Sequence, residues 1–250
     1  MWMKVSRKVA LALMAHPDDA EILCAGTLIR LRDAGWEIHI ATSTRGDCGT
    51  MTHSAAEISE IRSREAQAAA RLIGGTWHTL DEKDGRVCYD KETLAKAYDL
   101  FRRIGPGLVF THPARDYMMD HEMTSLVCRA VSFLYAAPNV SALPVIEGSG
   151  VPYLYYCDPV EGIDPLGAPV KAETLVDVTG QMEMKTRMLA AHASQREWLR
   201  AHHGMDEYIE SMKRFSAARG KLMGTEYAEG FVQHRGHPYP GDDVLKEMFG

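Results

Sequence analysis

The 250-residue sequence predicts an α/β fold, a Rossmann-like, doubly wound, mostly parallel sheet with helices on both faces. Three observations carry that prediction. The apolar run at 9–15 is continuous rather than alternating, as expected of a strand covered on both sides. Strand-like and helix-like segments alternate through the first 135 residues, which argues for parallel strands joined by crossover helices. Two of those strands end in dense polar clusters, and ligands bind at the carboxyl ends of parallel strands.

The elements follow in order. A helix is expected over 20–34, where Cys24, Leu28 and Leu31 share a face and Gly35 supplies the stop. Residues 36–44 read as a second strand, followed by the loop Arg45-Gly46-Asp47-Cys48-Gly49. An alanine-rich helix over 54–73 closes on Gly74-Gly75. A third strand covers 76–80, and a helix covers 91–103 before the breaker Gly105-Pro106-Gly107. The fourth strand, 108–111, opens into the second polar cluster, and a helix spans 122–135. Beyond that point the reading gives strands at 153–157 and 175–178 and one long amphipathic helix over 181–203. A Gly- and Pro-rich tail from about 225 is expected to wrap the surface or a neighbouring subunit. With no internal repeat or linker, residues 1–250 read as one domain.

Composition narrows the partners. The chain is 46% hydrophobic and 25% charged, with a net charge of -6 and the two signs mixed. No basic stripe marks a nucleic-acid surface, and no apolar run approaches the ~20 residues needed to span a bilayer. Five cysteines, odd in number and without a Cys-x-x-Cys pair, read as reduced thiols of a cytoplasmic protein. Lys4, Arg7 and Lys8 before the apolar run imitate an export signal. Cleavage near Ala15 would remove the first strand, so export is not expected.

The polar clusters are Ala15-His16-Pro17-Asp18-Asp19-Ala20-Glu21 and His112-Pro113-Ala114-Arg115-Asp116-Tyr117-Met118-Met119-Asp120-His121. Strands one and four of a Rossmann-like sheet are neighbours at the switch point, which would bring His16 and Asp19 to His121. Two imidazoles and a carboxylate with an open position suit catalytic Zn2+, and the same set accepts Fe2+. The open position would hold a water of lowered pKa. Asp18 diverges from Asp19 in the turn and is free to act as general base. Asp19 also reads as a plain helix N-cap. Asp120 is expected to orient a ligand rather than bind the ion. His112 reads equally as a donor behind the ligands and as a turn residue. His192 reads as a buried helix histidine or a site residue, and His202 and His203 as surface positions near a helix end.

The first cluster, followed by Ala25-Gly26-Thr27-Leu28, resembles the signature of the LmbE/PIG-L family of zinc-dependent de-N-acetylases, with Ala20 before Glu21 similar to the bacillithiol-type branch. Thr44-Arg45-Gly46-Asp47, Arg64-Glu65-Ala66, Asp116-Tyr117, Asp120-His121, His192-Ala193-Ser194-Gln195 and Ala228-Glu229-Gly230-Phe231 also resemble family positions. The resemblance implies His16, Asp19 and His121 as zinc ligands and Asp18 as base. It places Arg45 at the substrate; Asp47, which also reads as a loop cap, His112 and Asp116 are further candidate substrate contacts, and the Gly- and Pro-rich tail together with the family's tendency to assemble points to a homo-oligomer. The implied substrate is an N-acetylglucosamine-type amino sugar or its conjugate. One departure stands out: where many members carry His-Pro-Asp-His, this chain has Met118-Met119-Asp120-His121. Met118 cannot carry a proton, which leaves His192 and His112 as candidate helpers. Two other functions stay open: a non-catalytic sugar or nucleotide-sugar binding module, and a metal hydrolase of another amide or ester.

Overall fold

The computed structural model describes residues 7–203 and 208–250. Strand β1 (Val9–Met14) is buried along its whole length. Ala10, Ala12 and Met14 belong to a core with Leu28 and Phe231, while Val9, Leu11 and Leu13 belong to another with Phe101 and Val127. A strand between two cores has no solvent face, so its sequence cannot alternate.

From β1 the chain runs through α1 (Asp19–Leu23), α2 (Ala25–Asp33), β2 (Glu37–Thr44), α3 (Ala55–Arg71), β3 (Thr76–Glu82), α4 (Lys91–Ile104), β4 (Leu108–Thr111), α5 (Met119–Leu134) and β5 (Tyr153–Cys157). It continues through β6 (Thr174–Asp177), α6 (Met182–Ala190), α7 (Ala193–His203), α8 (Tyr208–Met223), β7 (Ala228–Gln233) and α9 (Val244–Phe249). The seven strands form one sheet in the order β3-β2-β1-β4-β5-β7-β6. Strands β1 to β5 are parallel, and β7 runs antiparallel to both β5 and β6. The fold is the mostly parallel α/β sheet that the sequence predicts. Helix α3 starts on a Ser54–Glu57 capping box, and α4 starts on Asp90 and stops at a left-handed Gly105.

Three expectations are corrected. The helix at 20–34 is two helices that meet at Cys24. The N–H groups of Gly26 and Thr27 donate to the Glu229 carboxylate at 2.8 and 2.7 Å. A carboxylate from β7 therefore caps α2 in the middle of an apparently continuous helical pattern. A Cβ on Gly26 would lie 2.6 Å from Val178, so this approach needs glycine. The helix at 181–203 also divides, at residues 191–192. Here Glu65 of α3 accepts from the backbone and hydroxyl of Ser194 at 2.9 and 2.6 Å and caps α7. The tail from 225 is not a surface wrap throughout: β7 enters the sheet between β5 and β6. Among the described residues, no helix is long and apolar enough to cross a membrane.

Candidate metal centre

Strands β1 and β4 pair directly, with Ala12 opposite Phe110, so their carboxyl ends open side by side. His16 follows β1, Asp19 opens α1, and Asp120 and His121 lie in the first turn of α5. The structure brings His16, Asp19 and His121 together, with one ligand atom from each lying within 4.8 Å of the others and all three residues buried. His16 Nδ1 is 3.6 Å from Asp19 Oδ2, and His121 Nε2 is 3.7 Å from Asp19 Oδ1.

The far side of each ring meets a carboxylate. His16 Nε2 lies 3.3 Å from Asp120 Oδ2. Asp120 itself accepts from the N–H groups of Gly85 and Val87 at 2.5 and 3.3 Å, which fixes it to the loop after β3. His121 Nδ1 lies 3.2 Å from Asp116 Oδ1, out of line for a full hydrogen bond. Carboxylates behind imidazoles orient the rings and make the facing nitrogens better ligands. Burial works against a charged His16, but its contacts with Asp120 and Asp19 outweigh it and raise the pKa to about 10. Burial likewise opposes the Asp19 carboxylate, yet His121 and His112 hold it well below the usual carboxylate range. The pocket thus favours positive charge, and its donor set fits a divalent ion such as Zn2+ or Fe2+.

Asp18 has partners of its own. Its backbone is left-handed (φ 103°), a conformation that non-glycine residues rarely adopt. Arg62 lies 3.6 Å from Asp18 Oδ2 and donates to the Pro17 carbonyl at 2.8 Å. The Tyr208 hydroxyl donates to the same Asp18 oxygen. Burial raises the Asp18 carboxyl, partly offset by Arg62. Two adjacent aspartates therefore have opposite proton affinities, the usual signature of separate acid–base and ligand duties. Fully buried His192 lies 3.5 Å from Glu21 Oε1, and Glu21 and Asp18 favour its charged form once burial is overcome.

The residues expected at a substrate have partners within the protein. His112 is fully buried and stacks on His121 at 3.9 Å between ring centres. Its Nε2 lies 3.0 Å from the Ala15 backbone nitrogen and 3.1 Å from Asp19 Oδ2, so the ring packs directly behind the Asp19 carboxylate. Asp116 is buried behind the two imidazoles. Arg45 is paired with Asp81 at 2.9 Å and Glu60 at 3.4 Å. Asp47 accepts from the Asp84 N–H at 2.8 Å while Asp84 accepts from the Cys48 N–H at 2.9 Å, a clasp between the loops after β2 and β3. The side chains of His202 and His203 lie outside the described residues.

Sequence reading missed Arg62 and Tyr208. Arg62 carried a signal: with Ile58 and Ala66 it forms a buried i, i+4, i+8 stripe on α3, where an arginine is out of place. Its guanidinium passes beneath Gly46 (φ 75°), where a Cβ would lie 2.4 Å away. Tyr208 carried none, since its role depends on where α8 docks.

The chain is similar to several known proteins. Residues 11–132 match the family model PIG-L: GlcNAc-PI de-N-acetylase. The 4-oxalmesaconate hydratase of Pseudomonas putida is 24% identical over 201 residues, covering 77% of this chain and 76% of that protein. The diacetylchitobiose deacetylase of Thermococcus kodakarensis is 26% identical over 242 residues, covering 89% of this chain and 82% of that protein. The solved structure of N,N'-diacetylchitobiose deacetylase from Pyrococcus horikoshii superposes with a TM-score of 0.76 at 24% identity, covering 95% of this chain and 88% of that one.

Proposed function

We propose that this chain, whose residues 11–132 match the PIG-L family model, is a metal-dependent de-N-acetylase of an N-acetylglucosamine-type amino sugar or its conjugate. The observation that carries the reading is the buried His16–Asp19–His121 cluster with a separately held carboxylate, Asp18, beside it. A divalent ion held by the three side chains would acidify a water and polarise the acyl carbonyl. Asp18, whose carboxyl is raised by burial, takes the proton from the attacking water and returns it to the leaving amine. Asp120 and Asp116 keep the His16 and His121 rings in place. Zinc is the proposed ion, and metal analysis separates it from Fe2+. A cytoplasmic homo-oligomer completes the reading, its assembly measurable by light scattering.

The test is acetate release from a panel of N-acetylated sugars, diacetylchitobiose included. Turnover should disappear with chelation and return with zinc. Asp18→Ala should lower kcat by at least about 100-fold, the scale of general acid–base catalysis, while retaining about one metal per chain. Full activity in that variant would remove Asp18 from the chemistry.

Met118 favours a second reading. Without an imidazole at that position, one proton donor for a tetrahedral intermediate is missing. The similarity to a hydratase suggests water addition, with Asp18 again moving the proton. Hydration of 4-oxalmesaconate, without acetate release from any sugar, would select this reading.

A further inference from the structure

We propose that Tyr208 is a positioning residue for Asp18, its hydroxyl holding one carboxylate oxygen so that the other is left to handle the proton. This inference rests on Asp18 as the general base of the reading above. Asp18 lies in a left-handed turn just ahead of α1, and its side chain makes no capping hydrogen bond to that helix. Among the described residues, both polar contacts of its carboxylate fall on Oδ2: the donated hydrogen bond from Tyr208 and the Arg62 guanidinium at 3.6 Å. Oδ1 is the oxygen without an assigned contact, and a general base needs one such oxygen in a fixed direction.

The hydroxyl can define that direction because its helix is tied to the sheet. Arg219 of α8 pairs with buried Asp158 at 2.5 Å, just beyond β5. Buried Ser216 receives Lys185 Nζ at 3.5 Å, and Lys185 in turn pairs with Glu229 of β7 at 2.6 Å. Gly220 lies against the backbone of Glu226, where a Cβ would be 2.5 Å from the carbonyl oxygen. Burial and the Asp18 charge keep the Tyr208 phenol protonated and therefore a donor. Tyr208 thus ties the C-terminal part of the chain to Asp18 of the N-terminal motif.

Tyr208→Phe removes that bond and little volume. The expected result is a kcat lower by about 10–100-fold, the scale of a small misplacement of a catalytic group. KM should stay within about twofold and metal content should be unchanged. A crystal structure of the variant should show the Asp18 carboxylate rotated or in two conformers. An Asp18 that keeps its place, an unchanged kcat, or a loss confined to KM or to metal content would overturn the proposal. If the wild type releases no acetate from any substrate, the hydrolase reading falls, while the Asp18 rotamer still decides the role of Tyr208.

Discussion

Around Glu229, each carboxylate oxygen accepts two hydrogen bonds: Gly26 N–H and Lys185 on one, Thr27 N–H and hydroxyl on the other. Around Asp19, both oxygens of Asp116 and the Nδ1 atoms of His112 and His121 are buried without an aligned partner among the described residues. Both networks are buried, both lie against the first turns of α1 and α2, and both hold charge. The filled one has no capacity for a further ligand and locks three elements together. The underfilled one retains electrostatic demand for a cation. Satisfaction, rather than burial or charge, separates structure from site.

The largest way to break this comparison is Glu229→Ala. It strands Lys185 in the core and should cost about 3–5 kcal/mol in urea unfolding. A cost below about 1 kcal/mol would mean that the filled network is not structural. Asp116→Asn tests the other side. Losing the carboxylate behind His121 should weaken metal binding by about 10–100-fold in a competition titration, with little change in the unfolding midpoint of the metal-free protein.

A third cluster sharpens the contrast by repelling charge. His39 Nδ1 lies 2.9 Å from His78 Nε2. Burial, with His39 and Arg103 nearby, lowers the His78 pKa to about 4, whereas His16 rises to about 10. The unfolded chain therefore binds the His78 proton first. This contribution to stability is intact above 6.5, the ordinary value, and is lost as pH falls from there toward 4. Replacing His78 with Gln should flatten that part of the stability–pH curve and leave metal binding alone. The smallest effect is expected for Arg45→Ala. Its pairs with Asp81 and Glu60 are largely exposed, so stability should change by less than about 1 kcal/mol. A large rise in KM instead would return Arg45 to the substrate.

Much of the centre was legible because local chemistry dictated it. The β1 and β4 runs are apolar as only doubly covered strands are, and parallel topology then places His16, Asp19 and His121 at one end of the sheet. Arg62 was legible in principle, as a cation on an apolar stripe. The protein partners of His112, Asp116, Arg45 and Asp47 were not legible, because they depend on how separate segments dock, which no periodicity records.

Apolar patterning and turn residues determined the strands, most helices and the ligand-bearing loops, because those choices are made within a few residues of chain. Tertiary structure decided where two apparent helices divide. Glu229 and Glu65 each cap a new first turn, the former from 202 and 203 residues away and the latter from 129. It also decided that β7 enters the sheet and that Tyr208 meets Asp18. A helix end accepts any well-placed carboxylate and a carboxylate any well-placed hydroxyl, so only packing of distant segments selects which one arrives.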